Sequence, residues 1–510
     1  MEEIHTFGEY AQMLKDMGLA TEIRGGGRVF SQPVRHISYN SRDVKVGTLF
    51  VCKGAHFSKD YLKQAILEGS IAYISENPYD FSDEEDERLK DIPCVLVNDM
   101  RRTLSHVAGM FYGTIWKKLT TIGITGTKGK STVTYFMKSI LDEYMKDMKR
   151  PETAVLSGID NYDGVIREES HLTTPETFEL YKHFENAVKS GIEYLTMEVS
   201  SQALKYHRTL GILYTVGCFL NIGLDHISDA EHQDFTDYFH SKLKLFNQCE
   251  IACINLDSAH AEEMVDSALS SKSVERRITF STTKEAADIY GYDMVSQGGK
   301  LKFKAKCDSF DEMFEIGMPG LFNVSNALAA IAICYGLNIP LPYIKKGLSK
   351  ARVSGRMEVY TDRAAKKMVI VDYAHNKMSF ESLFKAMKAE FPGKKLAIVF
   401  GCPGGKALGR RQELGLLAGE HCDYVYITEE DPGEEVLSDI CSEVAGYVRE
   451  FPSCHCEIVY DRDEAIRRAI QEHGEEAVIL VTGKGRETRQ KRGIQYIPVE
   501  SDVEIVKKYL

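Results

Sequence analysis

The sequence predicts an α/β protein of three consecutive domains, the second and third built on mostly parallel sheets, and three observations predict it. The chain has 510 residues, and domains usually run to about 100–200, so two to four are expected. From Leu119 an apolar strand, a glycine loop and an amphipathic helix open a stretch in which strands and helices alternate to about residue 350. That alternation is the pattern of a parallel sheet covered by helices. After Gly355, four more apolar segments each end in a polar or glycine-rich turn, which suggests a second doubly wound sheet.

Residues 1–115 form the first expected unit, a small mixed α/β domain. Within it Gly47–Val51 starts a strand, Tyr61 to Glu68 is a short helix, and Ile71–Ile74 is another strand. The acidic run Ser82 to Glu87 is expected as a solvated loop. Residues 116–352 form the second unit, with strands expected in VLSGI, EYLTMEV, TVGCFLNI and IACINL. Residues 353–510 form a Rossmann-like third unit, with strands in KKMVIVDYAH, KKLAIVFGC, DYVYITEED and AVILVTGKG. Open α/β sheets gather ligands outside the carboxyl ends of their strands, which places a ligand cleft between the second and third units.

Composition excludes several classes of function. Sixty-three basic against 75 acidic residues give a net charge of −12, which argues against general nucleic-acid binding. No run approaches the roughly 18 apolar residues of a membrane span; the longest, Ala327 to Tyr335, lies in a helical pattern. The start, MEEIHTFGEY, lacks the basic and apolar regions of a signal peptide. Twelve cysteines without paired spacing point to reduced thiols and a cytoplasmic location. Cys454-His455-Cys456 has no second pair to complete a zinc site.

The strongest local signal is the segment Gly123 to Ser131, containing Gly126-Thr127-Lys128-Gly129-Lys130-Ser131-Thr132 between a strand and a helix. Glycines let backbone N–H groups approach phosphate oxygens, and the helix N-terminus adds favourable partial charge. Lys130 can reach the outer phosphates and the Ser131 hydroxyl can bind Mg²⁺. Ile124 departs from the commonest glycine spacing of such loops. Glu198 closes the strand Leu195–Val199 and is a natural Mg²⁺ ligand beside that loop. His226 and Lys242, taken singly, are ordinary structural residues.

Taken together these segments resemble the Mur ligase family. Thr173-Thr174-Pro175-Glu176, Met197-Glu198-Val199-Ser200-Ser201, Leu321-Phe322-Asn323-Val324-Ser325-Asn326-Ala327, and Gly355-Arg356-Met357-Glu358 followed by Val371-Asp372-Tyr373-Ala374-His375 resemble the family's motifs and keep its order. Ser38 to Val51 and Gly483-Lys484-Gly485-Arg486-Glu487 are similar to segments of its tripeptide-forming branch.

The resemblance implies that a carboxylate is activated by ATP as an acyl phosphate and then attacked by an amine. Lys130 would act on the transferring phosphoryl group. Ser131 and Glu198 would hold one Mg²⁺ and His226 a second, with Lys242 carbamylated so that it binds metal. Asn323 and Asn326 would contact the adenine region, Asp372 the ribose, and Arg356 and His375 the same cleft. Thr173, Thr174, Ser200 and Arg208 would meet the muramoyl peptide, and Ser41 its uridine end. Asp431 and Glu487 would meet the free amino acid. The implied partners are UDP-N-acetylmuramoyl-L-alanyl-D-glutamate and an amino acid, with no nucleic acid or membrane, and a monomeric chain.

Three departures bear on the substrate. Gln202 replaces the histidine common after MEVSS, and Arg486 the histidine of GKGHE. Glu430-Asp431-Pro432-Gly433 stands where relatives that take meso-diaminopimelate carry DNPR, whose arginine grips a distal carboxylate. With Gly433 there and acids on either side, the expected substrate is L-lysine, although Arg486 could supply a grip from the neighbouring loop. The alternatives are the same reaction with meso-diaminopimelate or another amino acid, a folylpolyglutamate synthetase, or a non-catalytic nucleotide-binding paralogue.

Overall fold

The structure is a computed structural model that describes residues 4–54, 57–224, 227, 231–297, 300–362 and 366–510. Three sheets follow one another along the chain. The first has five strands in the order Ala20–Arg24, Cys94–Val97, Ser70–Ser75, Thr48–Val51, His36–Ser38, all parallel except the first. Within it the helix Lys59–Leu67 is capped by Ser58, whose hydroxyl accepts from the Asp60 N–H. The expected solvated run 82–87 differs at its end: Asp86 caps a one-turn helix, Glu87–Lys90, because its carboxylate takes the Arg88 N–H.

The second sheet has eleven strands, with Thr120–Thr125 flanked in parallel by Tyr194–Glu198 on one side and Tyr214–Phe219 on the other. This is a topological switch point, since the chain leaves the central strand and returns on both sides of it. The carboxyl ends of these three strands deliver the phosphate loop, Glu198 and Asn221 to one edge. The expected alternation with helices breaks down after Phe280. Ile289–Gln297, Lys300–Lys306 and Asp311–Ile316 form an antiparallel meander with no helix between them. KLKFKAK in that meander alternates apolar and basic residues, the period of a strand with one solvated face.

The third sheet runs Glu358–Asp362, Lys367–Asp372, Ala477–Thr482, Lys395–Phe400, Tyr424–Ile427, His455–Ile458, parallel except at its first strand. A separate hairpin, Arg489–Arg492 with Gln495–Pro498, follows it. The expected boundary at 115/116 falls inside the helical turn Ile115–Lys118. That at 352/353 falls between the helix Leu341–Lys350 and the strand Glu358–Asp362.

Among the described residues no helix is long and apolar enough to cross a membrane. The apolar run at 327–335 lies in the helix Phe322–Gly336, which is buried almost all round. The twelve cysteines are free thiols. No group of three or more histidine, cysteine or acidic residues able to hold a metal occurs among the described residues, the 454–456 segment included.

The helix Lys130–Asp147, which carries Lys130 and Ser131, is fixed from behind by the helix Leu341–Lys350. They pack tightly at Gly347, where a Cβ would collide with the backbone of Ile140. Gly347→Ala therefore forces the helices apart. We expect a loss of about 1–3 kcal/mol in stability, read as a lower denaturant midpoint at unchanged slope. An unchanged midpoint would show that the two helices are not in tight register.

Candidate active site between the second and third sheets

A cavity of about 510 Å³ opens between the carboxyl edges of the second and third sheets. Its floor is the turn from Thr125 to Ser131. Gly126 and Gly129 hold φ of +152° and +85°, and a Cβ at Gly129 would overlap Asn326 Oδ1. Only glycine suits both positions. The helix Lys130–Asp147 starts at Gly129 with no side chain capping it, so its first N–H groups face the cavity. Asn221 braces the loop from outside: its Oδ1 accepts from Lys128 N at 2.8 Å and its Nδ2 donates to Lys128 O at 3.1 Å. Lys130 curls back over the turn, with Nζ donating to Gly126 O at 3.0 Å and Thr127 O at 3.3 Å.

Ser131, Thr132, Glu198 and Thr173 line the same cavity. Glu198 is buried, and its Oε1 accepts from Gly158 N at 2.9 Å. One hydroxyl and one carboxylate facing a phosphate loop fit Mg²⁺, which keeps several waters and draws its other ligands from phosphate oxygens. Lys242 is buried outside this lining. Its Nζ donates to Gly126 O at 3.0 Å and stands 4.8 Å from the centre of the Tyr238 ring. The expected metal ligand His226 lies outside the described residues.

The third sheet supplies the opposite wall. Asp372 Oδ2 and Oδ1 accept from Met357 N and Ala374 N, each at 2.8 Å, tying the Gly355–Glu358 turn to the strand end at Asp372. Burial pushes the Asp372 carboxyl above its ordinary range, although Arg356 and those two N–H groups pull it down. Arg356 lies over the Tyr373 ring at 4.6 Å, and His375 Nδ1 meets Tyr373 O at 2.7 Å. Asn323 and Asn326 also line the cavity, but their amides face inward. Asn323 Nδ2 donates to Pro319 O at 2.8 Å and Asn326 Nδ2 to Asn323 Oδ1 at 3.0 Å. Asn326 thus stands against the phosphate loop. Met318, Phe322, Met378 and Leu383 give the cavity its apolar end, the part suited to a flat base.

Residues 124–334 match the Mur ligase middle domain, and residues 355–485 the Mur ligase glutamate ligase domain. A UDP-N-acetylmuramoyl-L-alanyl-D-glutamate–L-lysine ligase of Streptococcus pneumoniae is 37% identical over 493 residues, 94% of each chain. The chain belongs to the Mur ligase family. A UDP-N-acetylmuramyl-tripeptide synthetase of Lactobacillus delbrueckii is 33% identical over 93% of each chain. The solved structure of a UDP-N-acetylmuramoyl-L-alanyl-D-glutamate–2,6-diaminopimelate ligase superposes on this Mur ligase with a TM-score of 0.66 over 99% of each chain at 23% identity. A MurF ligase from Thermotoga maritima in complex with ADP gives a TM-score of 0.60 at 18% identity, over 93% of this chain and 97% of that one.

The remaining expected site residues of this Mur ligase fall outside the large cavity. Thr174 is fully buried: its hydroxyl donates to Glu198 O at 3.0 Å and accepts from Ser200 N at 3.0 Å, locking the 173–176 segment to the 197–201 strand end. Ser200 caps the helix Ser201–Lys205. Arg208 is held by Thr174 O at 3.2 Å and Glu176 at 2.6 Å. Glu176 also pairs with Lys53, joining the first and second sheets. Ser41 donates to Gln64 Oε1 at 2.9 Å on the first sheet's side.

The acidic loop around residue 431 differs from the bare anionic surface its sequence suggests, because most of its acids are already paired. Glu429 holds Arg492, Asp431 holds Lys484 at 3.1 Å, and Glu435 holds Arg411 at 2.7 Å. Glu487 pairs with Lys484 at 3.0 Å and with the Tyr373 hydroxyl. Arg486, the expected alternative carboxylate grip, is occupied by Glu358 through a double contact at 2.8 and 2.9 Å. Gly433 adopts φ +60°, a conformation an arginine would occupy only under strain.

Glu430 has a buried Oε2 with no hydrogen-bond partner, and burial pushes its pKa up to about 7 despite Arg462, Lys484 and Arg410 nearby. The folded chain therefore keeps a proton that the unfolded chain releases near 4.5. Stability is full below that value and falls as pH rises toward about 7. Glu430→Gln, neutral throughout, removes this slope. It should exceed the wild type at pH 8 by roughly 1–3 kcal/mol and match it near pH 4.5 in denaturant titrations. An equal difference at both pH values would contradict the assignment.

Proposed function

We propose that this Mur ligase adds L-lysine to UDP-N-acetylmuramoyl-L-alanyl-D-glutamate through an acyl-phosphate intermediate at the expense of ATP, in cytoplasmic peptidoglycan synthesis. The observation that carries the reading is the single cavity in which the phosphate loop and Glu198 of the second sheet face Arg356, Asp372 and His375 of the third. The relatives named as tripeptide synthetases and lysine ligases support it. Their match runs over 93–94% of this chain, a span that must take in most of the first sheet, and this favours a UDP-linked substrate over a folate. In this reading the three parts bind the UDP substrate, ATP and the amino acid in turn.

The residues divide the work as follows. The N–H groups at the start of the helix Lys130–Asp147 cradle the phosphates. Lys130 leaves the Gly126 and Thr127 carbonyls to neutralise charge on the transferring phosphoryl group. Asp372 holds the ribose and the apolar end around Phe322 the base. Thr173 meets the substrate carboxylate's side of the cavity, with Thr174, Ser200 and Arg208 fixing that wall. Mg²⁺ would supply the charge that lets a carboxylate approach the γ-phosphate; Ser131 and Glu198 would hold it, and His226 with a carbamylated Lys242 would form a second set.

Two results check these roles. Lys130→Ala should lower ligation by roughly a thousandfold with the fold retained, measured as phosphate release dependent on both the UDP-dipeptide and L-lysine. A variant keeping more than about a tenth of wild-type activity would overturn the role of Lys130. Lys242→Ala should be nearly inactive and partly restored by short carboxylic acids, whereas Lys244→Ala should be better tolerated. Full activity of Lys242→Ala without additives would remove carbamylation from the account.

A further inference from the structure

The helix that carries Ser131 and the strand end that carries Glu198 are joined by a series of hydrogen bonds outside the roles assigned above. The strand Ala154–Leu156 runs parallel to Tyr194–Glu198 with Leu156 opposite Met197, so the turn that follows it comes up beside Glu198. In that turn Gly158 N donates to Glu198 Oε1 at 2.9 Å, and this bond orients the carboxylate in the large cavity. A Cβ on Gly158 would stand 3.6 Å from Thr173 Oγ1 and 3.8 and 3.9 Å from the two Glu198 oxygens, so the turn touches both groups.

Ser157 closes the turn. Its hydroxyl accepts from Ile159 N at 3.0 Å and from Asp160 N at 3.1 Å, and donates to Asp160 O at 2.9 Å. Ser157 N donates to the same carbonyl at 3.1 Å. These bonds around one serine fix the direction of the Gly158 N–H. The turn opens the strand Asp160–Tyr162, and there the Asp160 carboxylate takes the hydroxyl of Tyr135. Tyr135 belongs to the helix Lys130–Asp147, one turn on from Ser131, and residues so spaced share a face. Burial first, and then the Asp160 carboxylate, push the Tyr135 phenol far above its ordinary range, so it keeps its proton and remains the donor.

The links thus run from Ser131 to Tyr135, across to Asp160, through the Ser157 turn to the Gly158 N–H, and on to Glu198. The one gap lies between Ser131 and Glu198, the two cavity-lining groups expected to share a divalent cation. Neither Tyr135 nor Asp160 lines that cavity.

We propose that Tyr135 and Asp160 are positioning residues for the cation: their hydrogen bond anchors the Gly158 turn and so sets the Glu198 carboxylate at a fixed distance from the Ser131 hydroxyl. Mg²⁺ demands near-octahedral geometry and tolerates little error in ligand spacing, and groups that orient a ligand tune affinity for the metal. The inference rests on the assignment of Mg²⁺ to Ser131 and Glu198 above.

The test measures the affinity for ADP by calorimetry, in Mg²⁺ and in EDTA, for the wild type, Tyr135→Phe, Asp160→Ala, Asp160→Asn and the Tyr135→Phe/Asp160→Ala double variant. Tyr135→Phe and Asp160→Ala should each cut the gain in affinity due to Mg²⁺ at least about fivefold and leave the affinity in EDTA unchanged. The double variant should lose no more than either single one, because both remove the same bond. Asp160→Asn keeps an oxygen for the phenol and should stay near the wild type. Tyr135→Phe keeps the ring and carries the test if Asp160→Ala fails to fold. In ligation assays the loss should read as a raised Mg²⁺ requirement that excess Mg²⁺ makes good. Equal losses in Mg²⁺ and EDTA, additive losses, or no loss overturn the positioning role. A Mg²⁺ effect that is absent from the wild type, or that survives intact in Glu198→Ala, overturns the assignment of the cation itself and this inference with it.

Discussion

The helix Lys130–Asp147 begins at Gly129, which has no side chain to cap it, and its first residues line the large cavity. Such a helix end carries a partial positive charge and unmade hydrogen bonds, a cost met by an anionic ligand. Asn221 clamps the preceding peptide from one side, and Asn326 occupies the space a side chain at Gly129 would need. The strand Thr120–Thr125 ends at this point because it is the switch strand of its sheet, and its two parallel neighbours bring Glu198 and Asn221 to the same edge.

One wall alone would make a phosphate site. The third sheet completes the proposed reaction site by bringing Arg356, Asp372 and His375 into the same cavity as the loop. Each Asp372 carboxylate oxygen accepts from one backbone N–H group, which ties the turn at Gly355–Glu358 to the strand end at Asp372 and leaves each oxygen able to accept a further hydrogen bond. The cavity is enclosed only by two bodies of the chain, which suits a reaction whose activated carboxylate must be kept from water. Farther out, the paired charges at Glu429, Asp431 and Glu435 show that local acidity in sequence is a poor guide to local potential. A carboxylate with a guanidinium against it attracts little.

The strands of the third sheet, the phosphate loop and the cavity between the second and third sheets were legible because each carries a short-range signal: an apolar run, a glycine at a turn, a helix start. The Lys300–Lys306 strand was missed although its alternation is clean, because its neighbours set the expectation of helices. Thr174, read as a substrate contact, proved to be a buried clamp; its hydroxyl partners, Glu198 and Ser200, lie 24 and 26 residues away. Phe322 lies in a segment that resembles a family motif, but nothing in the sequence gives it a place in the cavity, and Asn221 carries no local mark that separates it from any other asparagine. The Glu429–Arg492 pair joins residues 63 positions apart, and pairing at that range leaves no trace in either segment.

The central claim is that this cavity activates a carboxylate by phosphorylating it. The direct measurement uses UDP-N-acetylmuramoyl-L-alanyl-D-glutamate labelled with ¹⁸O in the glutamyl γ-carboxylate, turned over with ATP and L-lysine, and the released phosphate is analysed by mass spectrometry. An acyl phosphate requires one carboxylate oxygen to leave with the phosphate, so labelled phosphate should appear in step with the new amide. Amide formation accompanied by unlabelled phosphate would contradict the account.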